Sequence, residues 1–295
     1  MQDLSYYRPS SINEAIKILS EHGPTAKILA GGTDVIVQAR ERTKKITALV
    51  DIKKIPELIG LGIEGHRGLT IGAATPLYQI YEHPGVQNEY PILIDSANLI
   101  GGKAIQSRAS LGGNLCNGSP AADAIPTLIV LDAVANVIGP NGERKIPIKD
   151  FCIAPGKTVL EYNEILLSLH FKKPSPDSGA RFLRFIPRNE MDIAVVNVAS
   201  QVQLNKEKIE SAKIAIGACA PTPLLLEELS VSLEGQNYSE DLLDKTAEQF
   251  ETLITPIEDM RGSPEHRKQL AKTLFKRTMR EAVIRANGGK VVDNE

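Results

Sequence analysis

The residues with the most specific chemistry in this chain offer backbone rather than side-chain groups. Ala30-Gly31-Gly32-Thr33-Asp34 follows the apolar run Lys27-Ile28-Leu29, and Ser110-Leu111-Gly112-Gly113-Asn114 is followed closely by Ser119-Pro120-Ala121-Ala122-Asp123. A glycine pair lets a backbone pass close to a ligand, because no Cβ blocks the approach and positive φ is open to it. Successive N–H groups in such a turn can converge on one anionic oxygen and form a nest. Two nests on neighbouring phosphates would hold a pyrophosphate without any lysine, which points to a dinucleotide. Asp123 is placed to accept hydrogen bonds from ribityl or ribose hydroxyls. Its other reading is an acid at the start of a helix, ahead of Ala124-Ile125.

Metal chemistry is disfavoured by the ligand inventory. Cys116, Cys152 and Cys219 are widely spaced, with no CxxC pair and no even disulfide framework. Three thiols cannot build a four-thiolate iron–sulfur cluster. The five histidines show neither HxH nor HExxH spacing. A redox role would therefore need an organic cofactor. The 295 residues set a prior of two domains, and a 42% hydrophobic fraction is enough to build a core. A net charge of −2 with 24% charged residues describes an ordinary surface and gives no sign of a nucleic-acid partner. Met1-Gln2-Asp3-Leu4-Ser5 lacks the regions of a signal peptide and no apolar run could span a bilayer, so the expectation is a cytoplasmic protein.

Three other patterns imitate binding motifs. Gly60-Leu61-Gly62-Ile63-Glu64-Gly65 matches the dinucleotide fingerprint G-x-G-x-x-G, but His66-Arg67-Gly68-Leu69-Thr70 leads into a strand where the motif must open a helix; a hairpin turn is expected. Gly156-Lys157-Thr158 ends like a phosphate-binding P-loop, yet Phe151 stands where the earlier glycine is required. Arg267, Lys268, Lys272, Lys276, Arg277 and Arg280 in the last helix read as a solvated face or subunit contact, the chain being slightly acidic overall.

The elements that must position the glycine segments alternate between α and β. Ser11-Ile12-Asn13-Glu14 reads as a capping box opening a helix with Ile12, Ala15, Ile16 and Leu19 on one stripe, ending near Gly23. Ala26 to Ala30 reads as a strand and Thr33 to Arg40 as a helix that Thr33 or Asp34 could cap, so its free N–H groups would add to an anion site. Further strands are expected at Ala48–Ile52, Leu69–Ala73, within Leu128–Ile138, and at Glu164–Phe171. Helices are expected from an N-cap at Thr75 through Tyr81 and over Pro91–Ile100, and Pro140-Asn141-Gly142 signals a turn. Lys173-Pro174-Ser175-Pro176-Asp177-Ser178-Gly179 is the best domain boundary. Beyond it strands are expected near Ala194–Leu204 and Ser211–Gly217, then helices over Ser239–Leu253 and Pro264–Ala286.

The two glycine segments, read through to Asp123, resemble those of the FAD-binding subunit of the molybdenum hydroxylases, the family of xanthine, carbon monoxide and nicotinate dehydrogenases. The resemblance spans nearly the whole chain. It takes in Tyr7-Arg8-Pro9, Ile71-Gly72-Ala73-Ala74-Thr75, Pro155-Gly156-Lys157-Thr158, Arg188-Asn189-Glu190-Met191-Asp192-Ile193-Ala194, Ala220-Pro221-Thr222-Pro223 and Arg261-Gly262-Ser263. Pro155 to Thr158 and the tail Arg285-Ala286-Asn287-Gly288-Gly289-Lys290 look most like bacterial xanthine dehydrogenase FAD subunits.

The resemblance implies an α+β chain. A two-lobed FAD-binding domain of PCMH type over residues 1–178 would hold the cofactor between its lobes. A small C-terminal domain over 179–295, a short sheet with helices of the CO dehydrogenase flavoprotein type, would follow. Ile28, Leu29, Ala30, Gly31, Gly32, Thr33, Asp34 and Val35 would wrap the pyrophosphate and adenine side of FAD. Ser110, Leu111, Gly112, Gly113 and Asn114 would supply the second set of N–H groups, with the Ser110 hydroxyl as an added donor. Asp123 would hold cofactor hydroxyls, Leu166 would pack near the isoalloxazine, and Arg184 would approach its polar edge. A cation there stabilises negative charge on the reduced ring.

The chain departs from its relatives at several of these positions. Arg184 stands where relatives often carry Lys, Ile100 where some carry an aromatic residue, Ser110 where Thr is common, and His266 where a tyrosine often follows the position of Glu265. The implied activity is that of an oxidoreductase subunit. Electrons would come from a molybdenum cofactor in a large subunit, through an iron–sulfur subunit, and leave to NAD or another acceptor, within a dimer of heterotrimers. Alternatives are the FAD subunit of a carbon monoxide or nicotinate dehydrogenase-like complex, and a stand-alone flavin oxidoreductase with a general acid or base near its flavin.

Overall fold

The computed structural model describes residues 4–188 and 191–291, so Asn189 and Glu190 of the family-like stretch lie outside the described residues. The first lobe comprises β1 (Ser5–Tyr7), α1 (Ile12–His22), β2 (Ala26–Leu29), α2 (Val35–Glu41) and β3 (Ala48–Asp51). Its strands form a parallel sheet in the order β1-β3-β2. Ser11 caps α1, its Oγ accepting from the Glu14 N–H at 3.3 Å, while the Glu14 carboxylate accepts from the N–H of Ser10 at 2.8 Å rather than from Ser11. The apolar stripe of α1 then buries Ala15 and Leu19 against Ala26, Ala48 and Val50 of the sheet.

The second lobe opens with the hairpin β4 (Leu61–Glu64) and β5 (Gly68–Gly72). Six short helices follow: α3 (Leu77–Tyr81), α4 (Pro84–Glu89), α5 (Pro91–Ala97), α6 (Lys103–Gln106), α7 (Leu111–Asn117) and α8 (Ala124–Val130). The lobe closes with β6 (Val134–Gly139), β7 (Gly142–Pro147), the pair β8 (Cys152–Ala154) and β9 (Lys157–Thr158), and β10 (Ile165–Phe171). Its antiparallel sheet has the order β4-β5-β10-β6-β7, so the last strand of the lobe is inserted at the centre. Gly60 to Gly65 thus supplies β4 and its turn. Thr75 is not a cap: its hydroxyl accepts from the Gly60 N–H at 2.9 Å and donates to the Gly60 carbonyl at 2.8 Å, tying the hairpin to the α3 approach. Pro76 is the residue at N-cap, without a side-chain bond. Every residue of α8 is buried, Thr127 included, and a run with no exposed face shows no helical stripe to read in sequence.

The C-terminal part builds the antiparallel sheet β11 (Ser178–Phe185), β12 (Val196–Asn205), β13 (Lys208–Gly217) and β14 (Leu224–Leu225), in that order. Helices α9 (Glu227–Leu233), α10 (Glu240–Glu248), α11 (Phe250–Leu253) and α12 (Pro264–Ala286) complete it. The single helix expected over 239–253 is divided at Gln249, and α9 has no counterpart in the sequence reading. Phe275, Met279 and Ala282 of α12 join Val196, Val198 and Ile214 in one core. Asp95 of α5 anchors this part to the second lobe. It accepts from Arg181 at 2.7 Å, from Arg285 at 2.6 Å and from the Phe182 N–H at 3.3 Å. Because the carboxylate is buried, removing either arginine would leave it with fewer partners where solvent cannot substitute. Among the described residues no helix is long and apolar enough to cross a membrane.

Candidate functional site

A cavity of about 470 Å³ lies between the lobes, walled by β2, the loop after it and α2 on one side and by α7, β9 and β10 on the other. Of the residues singled out in sequence, Ile28, Ala30, Gly31, Gly32, Thr33, Asp34 and Val35 line it from the first lobe. Ile100, Ser110, Gly112, Gly113, Asn114 and Leu166 line it from the second. Leu29 and Leu111 are buried behind the wall, 6% and 1% exposed. Asp123 and Arg184 are not part of the wall.

The two glycine segments touch. A Cβ on Gly31 would stand 2.4 Å from the carbonyl oxygen of Arg108, so only glycine lets the first loop lie on the peptide that leads into the second. Gly32 adopts φ +81°, the left-handed region. The N–H groups of Gly31, Gly32, Thr33, Asp34 and Val35 find no acceptor among the described residues. Neither Thr33 nor Asp34 caps α2 with its side chain; Asp34 instead accepts from Asn117 Nδ2 at 3.3 Å, and Asn117 accepts from Gln38 at 3.3 Å, joining α2 to α7. Burial lifts the Asp34 carboxyl above its ordinary range, against the pull of Lys44.

The second segment is not a turn. Ser110 is the N-cap of α7, its Oγ accepting from the Gly113 N–H at 3.0 Å, and Gly112 and Gly113 sit in the first helical turn. A helix start leaves its leading N–H groups unpaired, and that of Gly112 has no acceptor among the described residues, while Ser110 just before Leu111 bridges Pro76. A Cβ on Gly112 would meet the Ala73 carbonyl oxygen at 2.4 Å, whereas one on Gly113 would meet only Ser110 Oγ, at 3.2 Å. Gly112 therefore serves the packing of α7 on the end of β5, and Gly113 keeps the cavity side of the turn open.

Asp123 and Arg184 pair with each other beyond this wall. Arg184 Nη1 donates to Asp123 Oδ2 at 2.5 Å, and Asn197 Nδ2 donates to Asp123 Oδ1 at 3.3 Å. Burial pushes the Asp123 carboxyl up to about 6, against the opposing pull of Arg184 and Asn197. The pair is one step from the cavity: Asn114, which lines it, accepts from the Ala124 N–H next to Asp123 at 3.3 Å. Among the described residues Arg184 Nε is buried without a hydrogen-bond partner. His266 packs edge-on against Phe185, ring centroids 6.0 Å apart, in a structural contact.

The sequence reading missed several wall residues. Lys27, Lys44 and Lys157 all line the cavity, cations that the expectation of a pyrophosphate held without any lysine did not include. No ion pair engages any of the three among the described residues. Burial and the neighbouring Lys44 lower the Lys27 ammonium from its ordinary range. Gly156-Lys157-Thr158, which fails as a P-loop on spacing, reaches the cavity on a hairpin whose Gly156 N–H donates to the Gly118 carbonyl at 2.9 Å. Lys27, three residues before the first loop, and Lys157, in the Gly156-Lys157-Thr158 stretch, were the signals the sequence offered. Glu164 also lines the cavity but is neutralised by Arg144 at 2.7 Å. Among the described residues no three His, Cys, Asp or Glu side chains gather as a metal site.

Rows of unpaired N–H donors from both lobes, glycines where a Cβ would intrude, and cations without acid partners suit a dinucleotide carrying phosphates. The fold and the site define a two-lobed dinucleotide-binding protein. Residues 2–174 match the FAD binding domain in molybdopterin dehydrogenase, and residues 181–282 match the CO dehydrogenase flavoprotein C-terminal domain. The chain belongs to the FAD-binding subunits of the molybdenum hydroxylases, oxidoreductase subunits that carry FAD.

It is 33% identical to the putative xanthine dehydrogenase FAD-binding subunit of Escherichia coli K12, over 96% of this chain and 97% of that protein. It is 29% identical to the carbon monoxide dehydrogenase medium chain of Hydrogenophaga pseudoflava, over 95% and 97%. The solved carbon monoxide dehydrogenase of that organism superposes with a TM-score of 0.92 at 28% identity, covering 96% of this chain and 98% of the other. Quinoline 2-oxidoreductase from Pseudomonas putida gives 0.89 at 26%, with the same coverage.

Proposed function

We propose that the chain takes electrons from an iron–sulfur subunit beside a large molybdenum subunit of a xanthine dehydrogenase-like enzyme, and delivers them to NAD in the cytoplasm. The observation that carries this reading is the interlobe cavity, lined by both glycine segments, in a chain similar over nearly its full length to a xanthine dehydrogenase FAD-binding subunit. Bound FAD supplies a group able to exchange electrons one at a time and to give up a hydride. The chain's own work is to bind and orient it. The N–H groups of Gly31 to Val35 and of Gly112 take the phosphates. Lys27, Lys44 and Lys157 balance their charge. Leu166 and Ile100 pack against the rings, and the buried Asp123–Arg184 pair, one step behind Asn114 of the wall, sets charge near the cofactor. We place the domain division at residues 178 and 179, at the start of β11 (Ser178–Phe185), whose pairing with β12 belongs to the C-terminal sheet from Ser178 onward. We further propose a dimer of heterotrimers.

The test is the purified complex. One FAD per copy of this chain by absorbance, with NADH formed on adding xanthine, supports the reading. Reduction by carbon monoxide or nicotinate instead would move the substrate assignment within the family. Absence of stoichiometric FAD would sink it.

A further inference from the structure

The first glycine loop is held from behind by two cations, one from each lobe. Lys53 Nζ donates to the Ala30 carbonyl at 3.1 Å, and Arg108 Nε donates to the Gly31 carbonyl at 3.2 Å. Lys53 is itself fixed: it pairs with Asp51 Oδ1 at 2.8 Å, and Asp51 also accepts from the Lys53 N–H at 3.0 Å and from the Tyr6 hydroxyl at 2.5 Å. The Asp51 side chain is only 6% exposed, so this is a built polar network rather than a surface contact. Arg108 reaches across from the second lobe, from the peptide that packs on Gly31.

A trans peptide is rigid and planar, with the carbonyl of one residue opposed to the N–H of the next. Holding the Ala30 carbonyl therefore aims the Gly31 N–H the opposite way, and holding the Gly31 carbonyl does the same for the Gly32 N–H. Those two N–H groups are the first of the five that lack an acceptor among the described residues, and both glycines line the cavity. Glycine is the residue most free to let a peptide plane flip, so this loop has most need of a hold. The same two contacts also draw two carbonyl oxygens, which would repel an anion, towards cations.

We propose that Lys53 and Arg108 are positioning residues that pre-orient the first loop's N–H groups for the cofactor pyrophosphate, Arg108 making that orientation depend on the second lobe. The inference rests on the FAD reading above. The test uses the full chain freed of flavin, titrated calorimetrically with FAD, with ADP as a probe that carries the pyrophosphate, and with riboflavin as a probe that lacks it. Lys53→Met and Arg108→Met should each weaken FAD and ADP about tenfold, the size expected for losing one charge-assisted hydrogen bond. Riboflavin affinity should not change, and Lys53→Arg and Arg108→Lys should recover part of the loss. Unchanged FAD and ADP binding in both Met variants overturns the proposal, as does a parallel fall for riboflavin, which a merely structural role would produce. A parent chain that binds neither FAD nor ADP would overturn the flavoprotein reading with it, whereas a parent that binds both beside unaffected variants sinks this inference alone.

Discussion

The two glycine segments carry the same Gly-Gly pair and reach the same cavity, yet they are built on different principles. The first is an irregular loop with Gly32 in left-handed backbone, held at its carbonyls by Lys53 and Arg108. The second is the opening turn of α7, with Ser110 as cap and both glycines helical. In the first, glycine is needed for a backbone shape and for contact between the lobes. In the second, Gly112 is needed for packing and Gly113 for an open face. A helix start presents its N–H groups by default, because its own hydrogen-bond ladder cannot use them. A loop must be held to do so.

The comparison can be broken most sharply at the two closest approaches. Gly31→Ala sets a methyl 2.4 Å from the Arg108 carbonyl, and Gly112→Ala sets one 2.4 Å from that of Ala73. Each should cost about 3 kcal/mol or more, at or beyond the usual range for overpacking. In Gly31→Ala the loss should fall mainly on FAD retention, since the lobes are prised apart at the cavity. Gly112→Ala should also lower the melting temperature of the flavin-free chain. If both lost FAD with no difference in apo stability, the distinction between loop and helix start would fail.

The next effect concerns the ion pair outside the wall. Asp123 is raised to about 6 by burial. The folded chain therefore holds this proton over a pH range in which the unfolded chain has already released it. The contribution is fully present below about pH 4, the ordinary carboxylate range, and is lost as pH rises through about 6. Denaturant titrations should show stability falling across that window. Asp123→Asn should flatten that slope, because an amide has no proton to release across the window. A slope unchanged in the variant would assign the titration to another group.

Smaller effects sharpen the picture. Ser110→Ala removes the α7 cap and should cost about 1 kcal/mol, while Ser110→Thr should preserve most of it. Gly113→Ala should change apo stability by less than about 0.5 kcal/mol, because the helical gain from alanine offsets the tight contact with Ser110 Oγ. It should nevertheless weaken FAD, since its methyl would occupy the cavity side. Equal effects of Gly113→Ala on stability and on FAD affinity would show that both helical glycines serve packing alone.

Much of this was legible in residue order. Ser11 and Glu14 announced α1, Pro264 to Ala286 matched α12 end to end, and Pro140-Asn141-Gly142 marked the turn between β6 and β7. These are local signals whose physics acts within a few residues. Several elements escaped for an equally physical reason. The start of α8 after Asp123 was one of the two readings offered for that acid, but its length did not show in an unbroken buried run. Thr75 looked like a cap because its bond to Gly60, fifteen residues earlier, is a tertiary contact. The second Gly-Gly pair read as a turn, since glycine is a poor helix former and only packing on Ala73 explains its presence there.

The sequence by itself marked two glycine segments with backbone donors to offer, and through its resemblance it determined the cofactor. Those features are carried by residue type and order alone. Only the tertiary structure decided which glycine serves shape and which serves packing. It also decided that Lys27, Lys44 and Lys157 share the cavity, that Asp123 and Arg184 stand outside its wall as a buried pair, and that Lys53 and Arg108 hold the first loop from opposite lobes. Each of these depends on which surfaces meet across the cleft, and that is set by packing between distant segments rather than by local residue order.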